Sequence, residues 1–544
     1  MAIPRFRIPL FIFLLSTLLA ATLGGGWFGG RLLASSDDSG RVGDRMREYA
    51  EVLQALEEWA PADIGSDDLV YGSIRGLMES LDPHSHFFAP SDYGNVRDKH
   101  AGSYYGVGLL VTQRENAVVV VTPMEGGPAG RLGVRPGDVI VEVDGQSTET
   151  LAYDRVTELL RGERGTRVEM RVHRLGFADP ISFSIVREAI TTKAVAAAFI
   201  LEPGVGYIRV TDFTNTTERE FDLALAELGR QGMNRLVLDL RGNGGGVLGA
   251  AIAIADRFLE KDQMIVFTRG MTAESNEAYV APGRKPRLAL PLVVLVDRGS
   301  ASASEIVAGA IQDHDRGLVV GETTWGKGLV QSVYNLRHGA GIALTTARYY
   351  TPSGRNIQRD YSSLWDYYAH DEGVIAEQLA ASPQKFRTAT GRSVAGGGGI
   401  RPDVEVVRGD RPQLIQLLEA RGLAFDFAVS WNAGHPDDGT EVTPEMVAEL
   451  ERLALERRIA RDAIIAAGFS DEMVRRHIER MIAAELVAVR EGFDASYPWR
   501  VQGDEQIMEA VRRLPEAERL ARSAAAKRGE DVAATREPAT RVGG

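Results

Sequence analysis

The sequence has no cysteine, which excludes disulfides, thiolate metal sites and a cysteine nucleophile together, while leaving the redox compartment open. It also lacks an excess of positive charge. With a formal net charge of -13, the chain offers no basic surface to displace counterions from phosphates, so a nucleic-acid partner is set aside. No GxxxxGK[ST] run occurs, which argues against a nucleotide P-loop. The composition does not suit wholesale disorder: 44% of residues are hydrophobic and 25% charged, enough apolar surface for packed cores. At 544 residues the chain exceeds one ordinary core. At about 150 residues per domain, roughly three or four units are expected.

The N-terminus carries an export signal. Arg5 and Arg7 precede Ile8 to Gly30, a stretch without a charged side chain whose apolar heart runs from Ile8 to Leu23. No clean small-x-small cleavage site stands out, and 23 uncharged residues suffice to span a bilayer with Trp27 at the interface. Residues 1–34 are therefore read as a signal anchor or signal peptide, with a retained anchor expected. The positive flank stays in the cytoplasm, so the chain after Arg31 lies on the extracytoplasmic, periplasmic side of the inner or cytoplasmic membrane. The competing reading, a buried helix of a cytosolic protein, predicts an amphipathic pattern rather than one apolar all round.

Between Arg41 and Leu81, apolar residues recur at helical spacing (Val52, Leu56, Leu69, Ile74, Leu77, Leu81), with Pro61 as a break. This predicts a helical N-terminal region over 41–100. Within it, Asp82-Pro83-His84-Ser85-His86 has two histidines two apart but no third ligand at suitable spacing, so it is read as a turn, and no metal is predicted.

Residues 101–190 read as short strands and turns with a helix from Tyr153 to Leu160. Gly106-Val107-Gly108-Leu109 leads into one strand, Val118 to Val121 forms another, and "GVRPGDVIVEVDG" supplies turn, strand and turn. This order resembles a PDZ domain. The resemblance implies that the loop Tyr105, Gly106, Val107, Gly108 and Leu109 binds a terminal carboxylate through its amides, with the peptide adding as a strand to the sheet edge. An unrelated small barrel whose glycines only make turns is the alternative.

From Val205 to about Asn356, strands alternate with helices, which implies an α/β layer with parallel crossovers and reactive groups at the carboxyl ends of the strands. Three strand-to-helix turns stand out. The first, "LDLRGNGGG", lets backbone amides face a ligand oxygen at a helix start. The second, "GSASASE", offers a serine hydroxyl above a helix N-terminus, although Ser302 with Glu305 three positions on is also a capping box. The pattern alone does not choose among Ser300, Ser302 and Ser304. The third, "GETTWGKGLVQ", contains Lys327, the only lysine between Lys285 and Lys385 in a chain that prefers arginine. A desolvated lysine can lose its proton, which arginine cannot, and a neutral amine near a serine hydroxyl can act as its base. His314, ten residues beyond Ser304, is read as a solvated residue of a helix C-terminal turn.

"LDPHSHFF", the PDZ-like block, "LDLRGNGGG", "GSASASEI", "GETTWGKGLVQ" and "TTARYYTPSGRNIQ" occur in the order seen in the C-terminal processing peptidases, the tail-specific serine proteases of family S41, which the chain resembles over about residues 45 to 408. The resemblance implies a serine endopeptidase with Ser302 as nucleophile, Lys327 as base 25 residues later, and Gln331 orienting the lysine. It further implies oxyanion donors at the backbone of Ala303 and Gly245, with no cofactor and no metal. Gly244 replaces the proline that many members carry in this turn.

The expected architecture is a multidomain α/β chain: a PDZ-like domain over 101–190, a crotonase-like α/β peptidase core over 191–410, a helical extension over 411–522, and a solvated, disordered tail over 523–544. The expected partners are protein substrates through their C-termini and the membrane through the N-terminal segment, with homo-oligomers or an adaptor left open. A PDZ scaffold that binds exported chain ends without cutting them is the main rival reading. A crotonase-type acyl-transfer enzyme is the second, disfavoured by the PDZ block and the lack of a recognisable CoA site.

Overall fold

The structure is a computed structural model that describes residues 39–59, 65–114, 116–362, 385–409 and 411–536. The expected membrane segment, 1–34, lies outside the described residues. Among the described residues no helix is long and apolar enough to cross a membrane.

The PDZ-like block folds as an antiparallel sheet in the order β1 (Leu109–Arg114), β2 (Ala117–Pro123), β3 (Val139–Val143), β4 (Arg167–His173) and β5 (Ile181–Val186). Strict alternation creates its core. In β4, Val168, Met170 and Val172 point inward while their neighbours face out. Helix α1 (Tyr153–Leu160) lays Val156 and Leu160 on that inner face. β1 lies at the edge of the sheet.

The peptidase unit is built on a six-stranded sheet in the order β6 (Val195–Glu202), β7 (Val205–Val210), β8 (Arg235–Asp239), β9 (Leu292–Val296), β10 (Leu318–Gly321) and β13 (Val404–Glu405). Only the β6–β7 pair is antiparallel. The continuous apolar run of β9, buried at every position, is what a parallel strand covered on both faces requires. One face is covered by α2 (Thr217–Arg230), α3 (Leu248–Asp256) and α4 (Ala303–Asp313), with Phe221, Ile254 and Val307 in the shared core. A second sheet contains β11 (Leu329–Asn335) and β12 (Gly341–Tyr350). The N-terminal region is tied into it, since strand His86–Phe88 pairs antiparallel with β12.

The other face of the six-stranded sheet corrects the sequence reading. Helix α5 (Glu505–Arg536) runs across it with Ile507, Ala510, Leu514 and Ala517 against Val237, Val293, Leu295 and Val320. The helix continues to Arg536, into the segment expected to be a solvated tail: Ala524 is buried, and Lys527 donates to the Ala389 carbonyl. Arg528 is likewise part-buried and pairs with Glu260 at 3.1 Å. The remaining C-terminal helices, between Gln413 and Glu491, have a core of their own and dock on the outer face of the PDZ sheet, where Arg114 donates to the Gly422 carbonyl at 2.9 Å and pairs with Asp426. A cleft of about 900 Å³ opens between these two parts, away from the serine turn.

Candidate active site

The three turns singled out in the sequence meet at the carboxyl ends of β8, β9 and β10. The serine turn after β9 is clamped to the glycine turn after β8: Asp297 Oδ1 accepts from the Gly242 amide at 2.7 Å, and the Asn243 carbonyl accepts from the Ala301 amide and the Ser304 hydroxyl. These bonds separate the three serines. The Ser300 hydroxyl is buried and donates to the Leu240 carbonyl at 2.8 Å, and that of Ser304 is buried on Asn243. Ser302 is only half-buried and sits at φ 54°, ψ -110°, a strained conformation for a residue with a side chain, at the N-cap of α4. The Ala303 amide belongs to the first turn of that helix, where backbone N–H groups have no intrahelical acceptor and favour negative charge.

Glu305, one turn into α4, organises the site. Its fully buried carboxylate accepts from the Thr324 hydroxyl at 2.5 Å and the Gly326 amide at 2.7 Å on Oε1, and from the Ser302 amide at 2.8 Å and the Lys327 amide at 2.9 Å on Oε2. The sequence marked it only as a cap; its bonds to the lysine loop were not foreseen. Burial pushes its carboxyl up to about 7, against the pull of these donors. The lysine loop is held further by Trp325, whose amide donates to the Ser300 carbonyl at 2.9 Å, and by Tyr349, whose hydroxyl bonds the Lys327 carbonyl.

Burial lowers the affinity of the Lys327 amine for its proton, while the negative charges of Glu305 and Asp82 oppose that shift. Asp82 comes from the "LDPHSHFF" turn, which therefore belongs to the site. Its carboxylate accepts from the His84 and Ser85 amides, the Ser85 hydroxyl at 2.6 Å and the Thr345 hydroxyl at 3.0 Å. His84 is neutral, pushed down to about 4 by burial and by the charge of Lys327.

Three expected residues have a geometry the sequence did not announce. Gln331 does not bond Lys327; its amide reaches the Thr345 hydroxyl at 3.5 Å, and Thr345 in turn bonds Asp82. Gly245 does not direct its amide at an oxyanion, because that N–H donates to Asn243 Oδ1 at 2.9 Å. Its contribution is steric. At φ 101°, a Cβ there would stand 2.8 Å from Cβ of Ser302, so only glycine lets the two turns approach. His314 is also not a freely solvated residue; its ring bonds the Met264 carbonyl at 2.6 Å.

Behind the glycine turn, buried Asp239 binds Tyr207, Arg209 and Arg241. Burial opposes its ionisation, but the two guanidiniums and these hydrogen bonds hold its carboxyl below the usual range. The outer side of Arg241 is taken by Asp504 at 2.8 Å and Gln506 at 2.8 Å, at the start of α5.

In the PDZ-like block, the Val107 carbonyl accepts from the Ala129 amide and the Gly108 carbonyl from the Met124 amide. A planar trans peptide points each following N–H the opposite way, so the Gly108 and Leu109 amides face away from those partners. Gly106 to Leu109 are buried, while Tyr105 is exposed.

Residues 204–362 match Peptidase family S41, and residues 119–174 match the PDZ domain family. The chain is 40% identical over 306 residues to the chloroplastic C-terminal processing peptidase of Tetradesmus obliquus, covering 53% of this chain and 66% of that one. It is 37% identical over 318 residues to the carboxy-terminal-processing protease of Bartonella bacilliformis, covering 58% and 73%. A solved photosystem II D1 C-terminal processing protease is 32% identical, with 66% of this chain and 92% of that chain covered; its TM-score is 0.35, and the family assignment rests on the sequence relatives. By that likeness the chain carries a PDZ domain and belongs to the carboxy-terminal processing serine peptidases of family S41.

Proposed function

We propose that this protein cuts exported proteins upstream of their C-terminal ends, with Ser302 as nucleophile and Lys327 as general base, after the PDZ domain has captured the terminal carboxylate. The observation that carries the reading is the shared oxygen of Glu305, to which both Ser302 and Lys327 donate. Neutral Lys327 takes the Ser302 proton as Oγ attacks the scissile carbonyl carbon. The resulting oxyanion is stabilised by the Ala303 amide and the start of α4. Collapse breaks the C–N bond, and Lys327 returns the proton to the leaving amine. Water then hydrolyses the Ser302 ester by the same exchange. The uncharged stretch after Arg5 and Arg7 supports a membrane-tethered enzyme working on the extracytoplasmic side.

Tail capture is tested by amidation. Removing the terminal charge is expected to weaken docking by about 1.5 to 3 kcal/mol, roughly ten- to a hundred-fold, so an amidated peptide is cut much more slowly than its free acid at low concentration. Deleting residues 103–188 narrows that difference. Equal cleavage of both peptides by the intact protein rules out tail capture while leaving the peptidase assignment standing.

A further inference from the structure

Strand β1 is the free edge of the PDZ sheet, the place where a substrate tail would add as a further strand. Which of its backbone groups face outward follows from its neighbour. Val120, opposite Val111, donates its amide to the Asp138 carbonyl at 2.9 Å and accepts from the Gly137 amide at 2.8 Å. Both groups of Val120 are thus turned toward the β3 side. Val111 and Val120 form a non-hydrogen-bonded pair, and in an antiparallel ladder the N–H and C=O of such a residue point to the opposite side. For Val111 that side is the open edge. Its carbonyl is already in use there: the hydroxyl of Tyr153, the first residue of α1, donates to it at 3.1 Å.

Tyr153 therefore spans the gap between the helix and the edge strand. A chain end held by the Gly108 and Leu109 amides and running antiparallel to β1 brings the third residue from its end opposite Val111. That residue's N–H needs the same carbonyl. We infer that Tyr153 is a latch on the PDZ groove, and that a substrate tail must displace its hydroxyl from Val111 before the tail can pair fully with β1. The inference rests on the groove being the tail-binding site. The latch makes docking weaker than the groove's own contacts allow, and it favours tails that form a regular strand, because only these regain the bond given up.

The test uses the full chain carrying Ser302→Ala to prevent turnover, with Tyr153 or Tyr153→Phe, and a fluorescein-labelled free-acid decapeptide ending in three apolar residues. Loss of one competing hydrogen bond is expected to tighten binding about two- to ten-fold in the Phe variant. A second peptide, N-methylated on the third residue from its end, cannot use the Val111 carbonyl and need not displace Tyr153. With it, the gain from Tyr153→Phe disappears. A merely structural tyrosine gives unchanged or weaker binding in the Phe variant, or the same gain with both peptides; each of these outcomes overturns the latch. If the free acid binds no better than its amide to either protein, tail capture fails and the latch falls with it, a result distinct from tight but Tyr153-independent binding.

Discussion

The backbone amides of Ser302 and Lys327, 25 residues apart in the chain, donate to one carboxylate oxygen of Glu305. One buried carboxyl group therefore fixes the spacing of the Ser302 loop and the Lys327 loop, whatever the two side chains do. The other Glu305 oxygen also faces two donors, Thr324 and Gly326. A glutamine cannot replace it, because its NH₂ would point at one donor pair in either orientation. Both Glu305→Gln and Glu305→Ala are expected to lower kcat/KM by about 100-fold or more through misplacement alone. Initial rates on an unfolded protein substrate check this; a wild-type rate in the Gln variant removes Glu305 from the mechanism.

The serine turn predicts a contrast within three neighbouring residues. Ser302→Ala and Lys327→Ala should each abolish hydrolysis with the melting temperature nearly unchanged. Ser300→Ala should instead destabilise by about 1 to 3 kcal/mol, since the amide of Asp297 loses its acceptor, while activity persists. Thermal melts read beside rates separate the two patterns. Cleavage by the Ser302 variant at the wild-type rate would mean a different nucleophile.

Under the proposed dyad, the pH dependence follows from Lys327, which must be neutral to accept the Ser302 proton. Burial lowers its pKa from the ordinary 10.5, so kcat/KM should rise toward alkaline pH and level off once the amine is deprotonated. Asp82 acts against the shift, because its negative charge favours the ammonium form. Asp82→Asn keeps an oxygen for the His84 and Ser85 amides and the Thr345 hydroxyl but removes that charge. The Lys327 pKa then falls further, and the activity profile moves to lower pH. His84, neutral beside the lysine, does not reverse the sign. A profile that moves upward in the Asn variant contradicts the placement of Asp82 beside Lys327.

Much of this was legible because it is local. The alternation in β4, the unbroken apolar run of β9 and the glycine turns each announce their conformation within a few residues. What was hidden depends on distant partners. Ser300 and Ser304 look like Ser302 until each hydroxyl is seen bonding a carbonyl about 60 positions away. The "LDPHSHFF" turn reads as an isolated loop until Asp82 meets Thr345, 263 positions on. The seat of α5 was hidden for another reason: Ile507, Ala510, Leu514 and Ala517 lie in the segment read as a helical extension, but the stripe they make is narrow because alanines fill half of it, and only the folded sheet shows what it covers.

That helix supports the site from behind, which yields a prediction with two separable arms. Arg241 opens the glycine turn and is held on one side by Asp239 and on the other by Asp504 and Gln506 of the α5 start. Asp504→Ala leaves two guanidiniums, Arg209 and Arg241, facing Asp239 alone, and frees the outer end of Arg241 to shift with the turn that faces Ser302. The helix itself stays seated through Ile507, Ala510, Leu514 and Ala517. The expected result is a fall in kcat with little change in KM, because the proposed docking groove of the PDZ domain is untouched. Leu514→Ala acts on the other term. It empties part of a fully buried contact with the sheet and should cost about 2 to 5 kcal/mol of stability, while the protein that remains folded at low temperature turns over normally. Steady-state kinetics at 15 °C together with thermal melts resolve the two variants. If Asp504→Ala lowers only the melting temperature and leaves kcat intact, α5 is a structural brace with no influence on the glycine turn.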